Sequence, residues 1–152
     1  MTLSRLAWEC IAAGTTISLG SLFHFTYVWS GKSPGTAWFS AVDESVWEHM
    51  HLVVFPWLVG TSLLLFARGE VDDEVFLSRA VGLVTTLFLI PAIFYLYTVG
   101  RTRKDYLVVV ILTFILAIVA GGVVSWLLSL KLSAGTTWFM ILGLLIQFLL
   151  LL

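Results

Sequence analysis

Residues 106–130 read YLVVVILTFILAIVAGGVVSWLLSL, a run of 25 residues without a charged side chain. About 20 apolar residues are enough for a helix to cross the hydrocarbon core of a bilayer. The whole chain is 60% hydrophobic and 11% charged, whereas ordinary soluble domains are about 25% charged. The run predicts a transmembrane helix, and the composition predicts an integral, multi-pass membrane protein whose surroundings are the lipid bilayer.

Four further apolar segments have the length of a membrane span. Together with the first run they predict five transmembrane helices, over residues 6–29, 46–67, 80–100, 106–130 and 132–152. Their connections are short, so helices that follow each other must run antiparallel. The sequence therefore predicts an all-α fold, in which a single domain of residues 1–152 forms an up-down bundle of five helices.

The charged residues exclude one class of partner. The net charge is −1, and no run of Lys or Arg appears, so the chain offers no basic surface for nucleic acid. The one cysteine, Cys10, cannot form a disulfide within the chain. Because Cys10 lies in the first apolar segment, we expect it to be a small buried residue.

Polar side chains collect where the first two helices are joined. All three histidines lie between positions 24 and 51. His24 and Tyr27 share a face of the first helix, and Glu44, Glu48 and His51 follow one stripe of the second. Because the two helices are antiparallel, the end of the first should lie level with the start of the second. We therefore expect these groups to face one another near one membrane surface.

Several functions suit this arrangement. Two imidazoles with one or two carboxylates match the ligand preferences of zinc or iron, and the same groups can relay protons or bind an ion. Alternatively, Asp43 is the N-cap of a helix that begins at Glu44, and both Glu44 and Glu48 only favour its positive end. Ser45 and Tyr27 are the only nearby nucleophiles, so a non-catalytic, transport-like role is favoured over an enzyme.

Small residues form two stripes on the first segment, one through Thr16, Gly20 and His24 and one through Gly14, Ser18 and Ser21. Small residues let helix backbones approach closely in lipid, so both stripes are expected to meet neighbouring helices. The only amide side chain of the protein, Gln147, lies in the last segment. We expect it to form a hydrogen bond with a neighbouring helix.

Residues 24–31 (HFTYVWSG) and 39–49 (FSAVDESVWEH) resemble the signature H-F-x-Y-x-W-S-G … V-[ND]-E-S-V-W-E-H of a family of small five-helix membrane proteins of uncharacterised function. The resemblance covers about residues 24–60 and implies a polar signature of His24, Glu44, Trp47, Glu48 and His49. His51 departs from the family pattern, and the family brings no activity. The candidate ligand- or ion-binding residues are thus His24, Tyr27, Glu44, Glu48 and His49. Of these, His24, Glu48 and His49 are the candidate ligands of a transition-metal ion.

In architecture alone the chain is similar to the tryptophan-rich translocator proteins, which it matches in length, helix number and Trp content. That family binds porphyrins and sterols. The similarity implies an alternative function, the binding of a tetrapyrrole or lipid, with His24 and His49 as axial ligands of a haem. A homo-oligomer, or a structural subunit of a larger membrane complex, also remains open for so small a chain.

Overall fold

The computed structural model describes residues 4–43, 45–68, 73–98 and 107–132. These residues form four helices and no strand: α1 (Arg5–Trp29), α2 (Val46–Arg68), α3 (Asp73–Thr98) and α4 (Leu107–Ser129). Each helix is long and apolar enough to cross a membrane. The all-α prediction is confirmed, and described helices cover four of the five predicted spans. The fifth, predicted over residues 132–152, lies outside the described residues from position 133 onward.

The helix boundaries differ from the predicted ones mainly at α3. This helix begins at Asp73, seven residues before the predicted start at position 80, so Arg79 belongs to the helix and not to the preceding loop. The predicted span from position 80 contains no charged residue, whereas α3 also includes Asp73, Glu74 and Arg79. Counting apolar residues along the sequence ends a predicted span at the first charged residue. In the folded bundle Arg79 is buried against the Glu9 carboxylate, and the helix continues on both sides of it.

Local capping sets both ends of α1. The Ser4 side chain accepts a hydrogen bond from Ala7 N–H at the N-terminal end. At the other end Gly31 has φ +70°, a conformation open to glycine at little cost. The turn allows Lys32 N–H to donate to the carbonyl of Tyr27. The chain thus leaves α1 sharply and can enter α2 as its antiparallel neighbour.

The four helices form a ring in which α1 packs against α2 and α4, and α3 packs against the same two helices. The inside of the ring is mostly apolar, and its largest fully buried apolar members include Val53, Trp57, Leu83 and Ile118. The first small-residue stripe faces this inside: Thr16 and Gly20 are buried. A Cβ on Gly20 would lie 2.8 Å from the carbonyl oxygen of Leu52, so α1 and α2 approach each other closely there.

The second stripe, Gly14, Ser18 and Ser21, is exposed, so within the described structure it does not meet a neighbouring helix. Cys10 is exposed as well, and the prediction that it is buried is wrong. The cause is geometric, since Cys10 and Gly14 lie one helical turn apart on the side of α1 opposite to its buried face. An outward small residue looks the same in sequence as an inward one.

Candidate functional site

The end of α1 does lie level with the start of α2, and two imidazoles meet there. The ring centroids of His24 and His49 are 5.7 Å apart, and both side chains are half-buried. His49 Nδ1 lies 2.7 Å from the carbonyl oxygen of Ser45. Because a carbonyl oxygen can only accept, this bond places a proton on Nδ1. In the neutral ring Nε2 is then the atom with the lone pair.

The acidic side chains at the start of α2 accept hydrogen bonds from backbone N–H groups of the loop before the helix. Ser45 Oγ accepts from Glu48 N–H (3.3 Å), and Glu48 Oε2 accepts from Val42 N–H (3.2 Å). Since α2 begins at Val46, the prediction that Asp43 is its N-cap is wrong. Asp43 instead closes a turn by accepting from Ser45 N–H (2.8 Å). Hydrogen bonds from Ser45 hold the pKa of the Asp43 carboxyl below its ordinary value.

The remaining candidate residues of the site are Tyr27, Glu44 and His51. Ser40 ties the loop to α1 because its hydroxyl donates to the carbonyl of Phe23 and accepts from Tyr27 N–H (2.9 Å). Tyr27 is half-buried and His51 is exposed. Glu44 is not among the described residues.

A metal ion would need more than this pair of imidazoles. In the described part of the chain, no three His, Cys, Asp or Glu side chains lie close enough to share a metal ion. His24 and His49 come together, whereas the Glu48 carboxylate binds Val42 N–H. Protein zinc sites use at least three protein ligands. The assignment of His24, Glu48 and His49 as metal ligands stays a prediction.

Beside the imidazoles lies a cavity of about 240 Å³, which we call the α1–α4 cleft. Its lining residues are Gly20, Ser21, His24 and Phe25 of α1, His49 and Leu52 of α2, and Val110, Ile111, Phe114 and Ile115 of α4. Phe25 and Ile111 are about half exposed, so the cleft opens between α1 and α4 on the outside of the bundle. Apart from Ser21 and the two imidazoles, its wall is apolar.

A second polar site, missed by the sequence analysis, lies inside the ring. Glu9 Oε2 and Arg79 Nη1 form an ion pair at 2.8 Å, and their side chains are only 9% and 0% exposed. Ser125 Oγ donates to Glu9 Oε1 (3.0 Å), and Arg79 Nε donates to Thr61 Oγ1 (3.0 Å). Arg79 Cζ lies 3.9 Å from the ring centroid of Trp57. These five side chains, which we call the polar layer, come from all four helices.

One signal in the sequence could have revealed this layer. Glu9 and Arg79 are single charges of opposite sign, each near one end of an apolar segment. A charge at such a depth is costly in lipid and is almost always paired inside the bundle. A span that starts only at position 80 places Arg79 in a loop, and for that reason the hydropathy pattern alone does not pair it with Glu9.

Nearly the whole chain is similar to one protein family. Residues 2–152 match the model of a family described as "Family of unknown function (DUF6512)". The chain belongs to this family. No curated protein and no solved structure matches it. The resemblance to an uncharacterised family is supported to that extent, while the quoted signature and the fifth helix stay predictions.

In this DUF6512 protein the two polar sites lie near opposite ends of the bundle. Glu9 and His24 are both in α1, and at about 1.5 Å per residue they are roughly 22 Å apart along its axis. Between them the ring holds buried apolar side chains such as Val53 and Leu83. The two sites are therefore separate, and the imidazole pair borders the α1–α4 cleft.

Proposed function

We propose that this integral membrane protein binds a lipid-soluble molecule in the α1–α4 cleft, with the imidazoles of His24 and His49 holding its polar end. The observation that carries the proposal is the cleft itself, a cavity of about 240 Å³ whose apolar wall carries two imidazoles. Binding sites for small molecules are typically apolar, with a few polar groups that fix the orientation of the ligand.

The position of the imidazoles suits an amphiphile that enters from the bilayer. His24 lies five residues before the end of α1 at Trp29, which is roughly 7.5 Å along the helix axis. The polar head of a lipid lies at a similar depth, near the membrane surface. From there the cleft continues along Ile111 and Ile115 of α4, so an apolar chain can follow that helix towards the membrane centre.

Tetrapyrrole binding by both imidazoles fits the packing less well. An iron with two axial histidines lies between their rings, and the macrocycle extends beyond both of them on every side. One turn from His24, however, Gly20 packs so closely that a Cβ there would lie 2.8 Å from Leu52 O. A macrocycle between the two rings would therefore require α1 and α2 to move apart near this contact, whereas a single-chain amphiphile would not.

Photolabelling in lipid nanodiscs tests the proposal. A palmitic acid that carries a diazirine on its chain should label residues of α1 and α4 around the cleft. The double substitution His24→Ala and His49→Ala should reduce this labelling about thirtyfold, because two hydrogen bonds worth roughly 1 kcal/mol each are lost.

The matched control uses an outer groove on α3, lined by Val81, Val84, Thr85, Phe88 and Leu89, whose volume is about 440 Å³. Phe88→Ala in this groove should leave labelling of the cleft unchanged. Equal labelling of the cleft and the outer groove, with no effect of the His substitutions, would exclude a specific site.

The same pair of residues supports a second function, the binding of an ion or the relay of protons. Two imidazoles 5.7 Å apart can bind one cation together with a further ligand. The bond between His49 Nδ1 and Ser45 O resembles the backbone bonds that orient metal-binding histidines.

Reconstituted protein tests this function through its metal content and its ion or proton flux. If the function is right, His49→Ala should abolish both, Glu48→Gln should reduce at least one, and His51→Ala should change neither, because His51 lies on the exposed surface. Wild-type metal content and flux in the His49 and Glu48 variants would rule it out.

A further inference from the structure

The loop between α1 and α2 folds back along these two helices. The ring centroid of Phe39 lies 5.3 Å from that of Phe23 in α1 and 6.5 Å from that of Phe55 in α2. The hydroxyl of Ser40 enters the hydrogen-bond ladder of α1, where it donates to the carbonyl of Phe23 and accepts from Tyr27 N–H (2.9 Å). The loop is therefore held against residues that lie well inside the helix ends.

The depth of these contacts follows from the helix lengths. Phe23 lies six residues before the end of α1, and Phe55 lies nine residues after the start of α2. At about 1.5 Å per residue these intervals are roughly 9 and 13.5 Å. The 25 residues of α1 extend over about 37 Å, which is about 7 Å more than the hydrocarbon core. Even if the whole excess lay at this end of α1, Phe23 would lie just within the core.

The composition of the loop suits this depth. Residues 33–42 (SPGTAWFSAV) carry no charged side chain, whereas Lys32 and Asp43, which flank them, are exposed. Irregular backbone at membrane depth requires partners for its polar groups. Ser40 N–H has one within the loop, since it donates to the carbonyl of Thr36 (3.1 Å). An uncharged segment with a hydrogen-bonded turn of its own is suited to the edge of the hydrocarbon core.

Trp38 is exposed on the surface of this loop. Its exposed fraction is 86%, whereas the side chains of Ser40 and Ala41 are buried. An indole combines a large apolar surface with one N–H donor, and tryptophans collect at the membrane–water interface for this reason. Trp29 and Trp47, at the adjoining ends of α1 and α2, are exposed as well. The three indoles thus lie at the same end of the bundle.

We propose that residues 33–42 dip into the bilayer beside α1 and α2, with the indole of Trp38 among the lipids at the boundary between headgroups and acyl chains and Ser40 as the tether to α1. The partner of this surface is the lipid interface itself, because the contacts of Phe39 place the loop at that depth. The inference does not depend on a ligand in the α1–α4 cleft, whose lining residues come from α1, α2 and α4.

Spin labels in lipid nanodiscs test the position of Trp38. With Cys10→Ser in place, a nitroxide on Trp38→Cys should collide more often with dissolved oxygen, which concentrates in lipid, than with a water-soluble nickel chelate. The same label on Lys32→Cys should show the opposite preference, because Lys32 is exposed beside the uncharged segment. On Phe88→Cys, which replaces an exposed side chain near the middle of α3, it should give the hydrocarbon reference. The ratio of the two collision rates at Trp38 should lie between these references.

Two results would overturn the proposal. A ratio at Trp38 equal to that at Lys32 would place the loop in water. Spin–spin broadening that disappears on dilution with unlabelled protein would show that a second copy of the chain covers this surface instead of lipid.

The tether is tested in the same labelled protein. Ser40→Ala removes the hydroxyl that joins the loop to α1, so the ratio at Trp38 should shift towards the Lys32 value. Ser33→Ala is the matched control and should leave the ratio unchanged, since no hydrogen bond of the described structure involves the Ser33 hydroxyl. A ratio that Ser40→Ala also leaves unchanged would overturn the role of Ser40 as the tether.

Discussion

Replacing Arg79 by Met is expected to lower the free energy of unfolding by about 3–5 kcal/mol, because it leaves the Glu9 carboxylate buried without its counter-ion. The variant also loses the hydrogen bond from Arg79 Nε to Thr61 and the contact with the ring of Trp57. Unfolding in mixed micelles with increasing SDS, followed by Trp fluorescence, measures the loss. Lys32→Gln is the matched control, since Lys32 is an exposed cation in a loop, and it should unfold like the wild type.

A second substitution separates the charge from the packing. Glu9→Gln combined with Arg79→Met removes both charges while Ser125 can still donate to the remaining amide oxygen. The double variant should therefore be more stable than Arg79→Met alone, because no unpaired charge remains buried. If Arg79→Met is as stable as the wild type, or if the double variant recovers nothing, the ion pair does not hold the four helices together.

The ion pair of Glu9 and Arg79 shows why the sequence predicts the helices better than the contacts between them. Hydropathy predicts α1, α2 and α4 to within one residue at each end, because long apolar runs have one stable arrangement in lipid. It misplaced the start of α3, since Arg79 ended the apolar count although the helix continues on both sides of it. The partner of Arg79 is Glu9, 70 positions away in sequence, and a single sequence has no local pattern that joins two such residues.

The candidate site was likewise predicted in part: the two helix ends meet as expected, but the side chain that faces His24 was not the expected one. The meeting of His24 with His49 follows from antiparallel neighbours, but the spacing argument favoured the stripe through His51 and not His49. The position of each side chain depends on where α2 begins, and that is at Val46 and not at Glu44. Ser45 and Glu48, the first and last residues of the S-V-W-E segment, have the spacing of a capping box. This local signal would have given the correct start.

Adjacent glycines in α4 offer the other large effect. Gly121→Ala is expected to lower the free energy of unfolding by about 1–3 kcal/mol or more, because the added methyl group overpacks the contact between α3 and α4. A Cβ at Gly121 would lie 2.5 Å from the backbone oxygen of Gly82 and would also strike Thr86 Oγ1. A backbone atom cannot rotate away as a side chain does, so the two helices must separate. Their separation weakens the bond from the Thr86 hydroxyl to Ala117 O (3.2 Å).

Gly122 provides the control, because the same substitution there is not expected to lower the free energy of unfolding. A Cβ at Gly122 would meet no atom closer than the Cβ of Ala13, at 3.9 Å, which is ordinary contact. Gly122→Ala should therefore leave stability unchanged or raise it by up to about 1 kcal/mol, since Ala costs less than Gly in a helix. Both variants add the same methyl group, at positions one residue apart. A difference between their unfolding midpoints in the SDS titration must therefore come from packing. Equal midpoints would mean that α3 and α4 do not meet closely at Gly82 and Gly121.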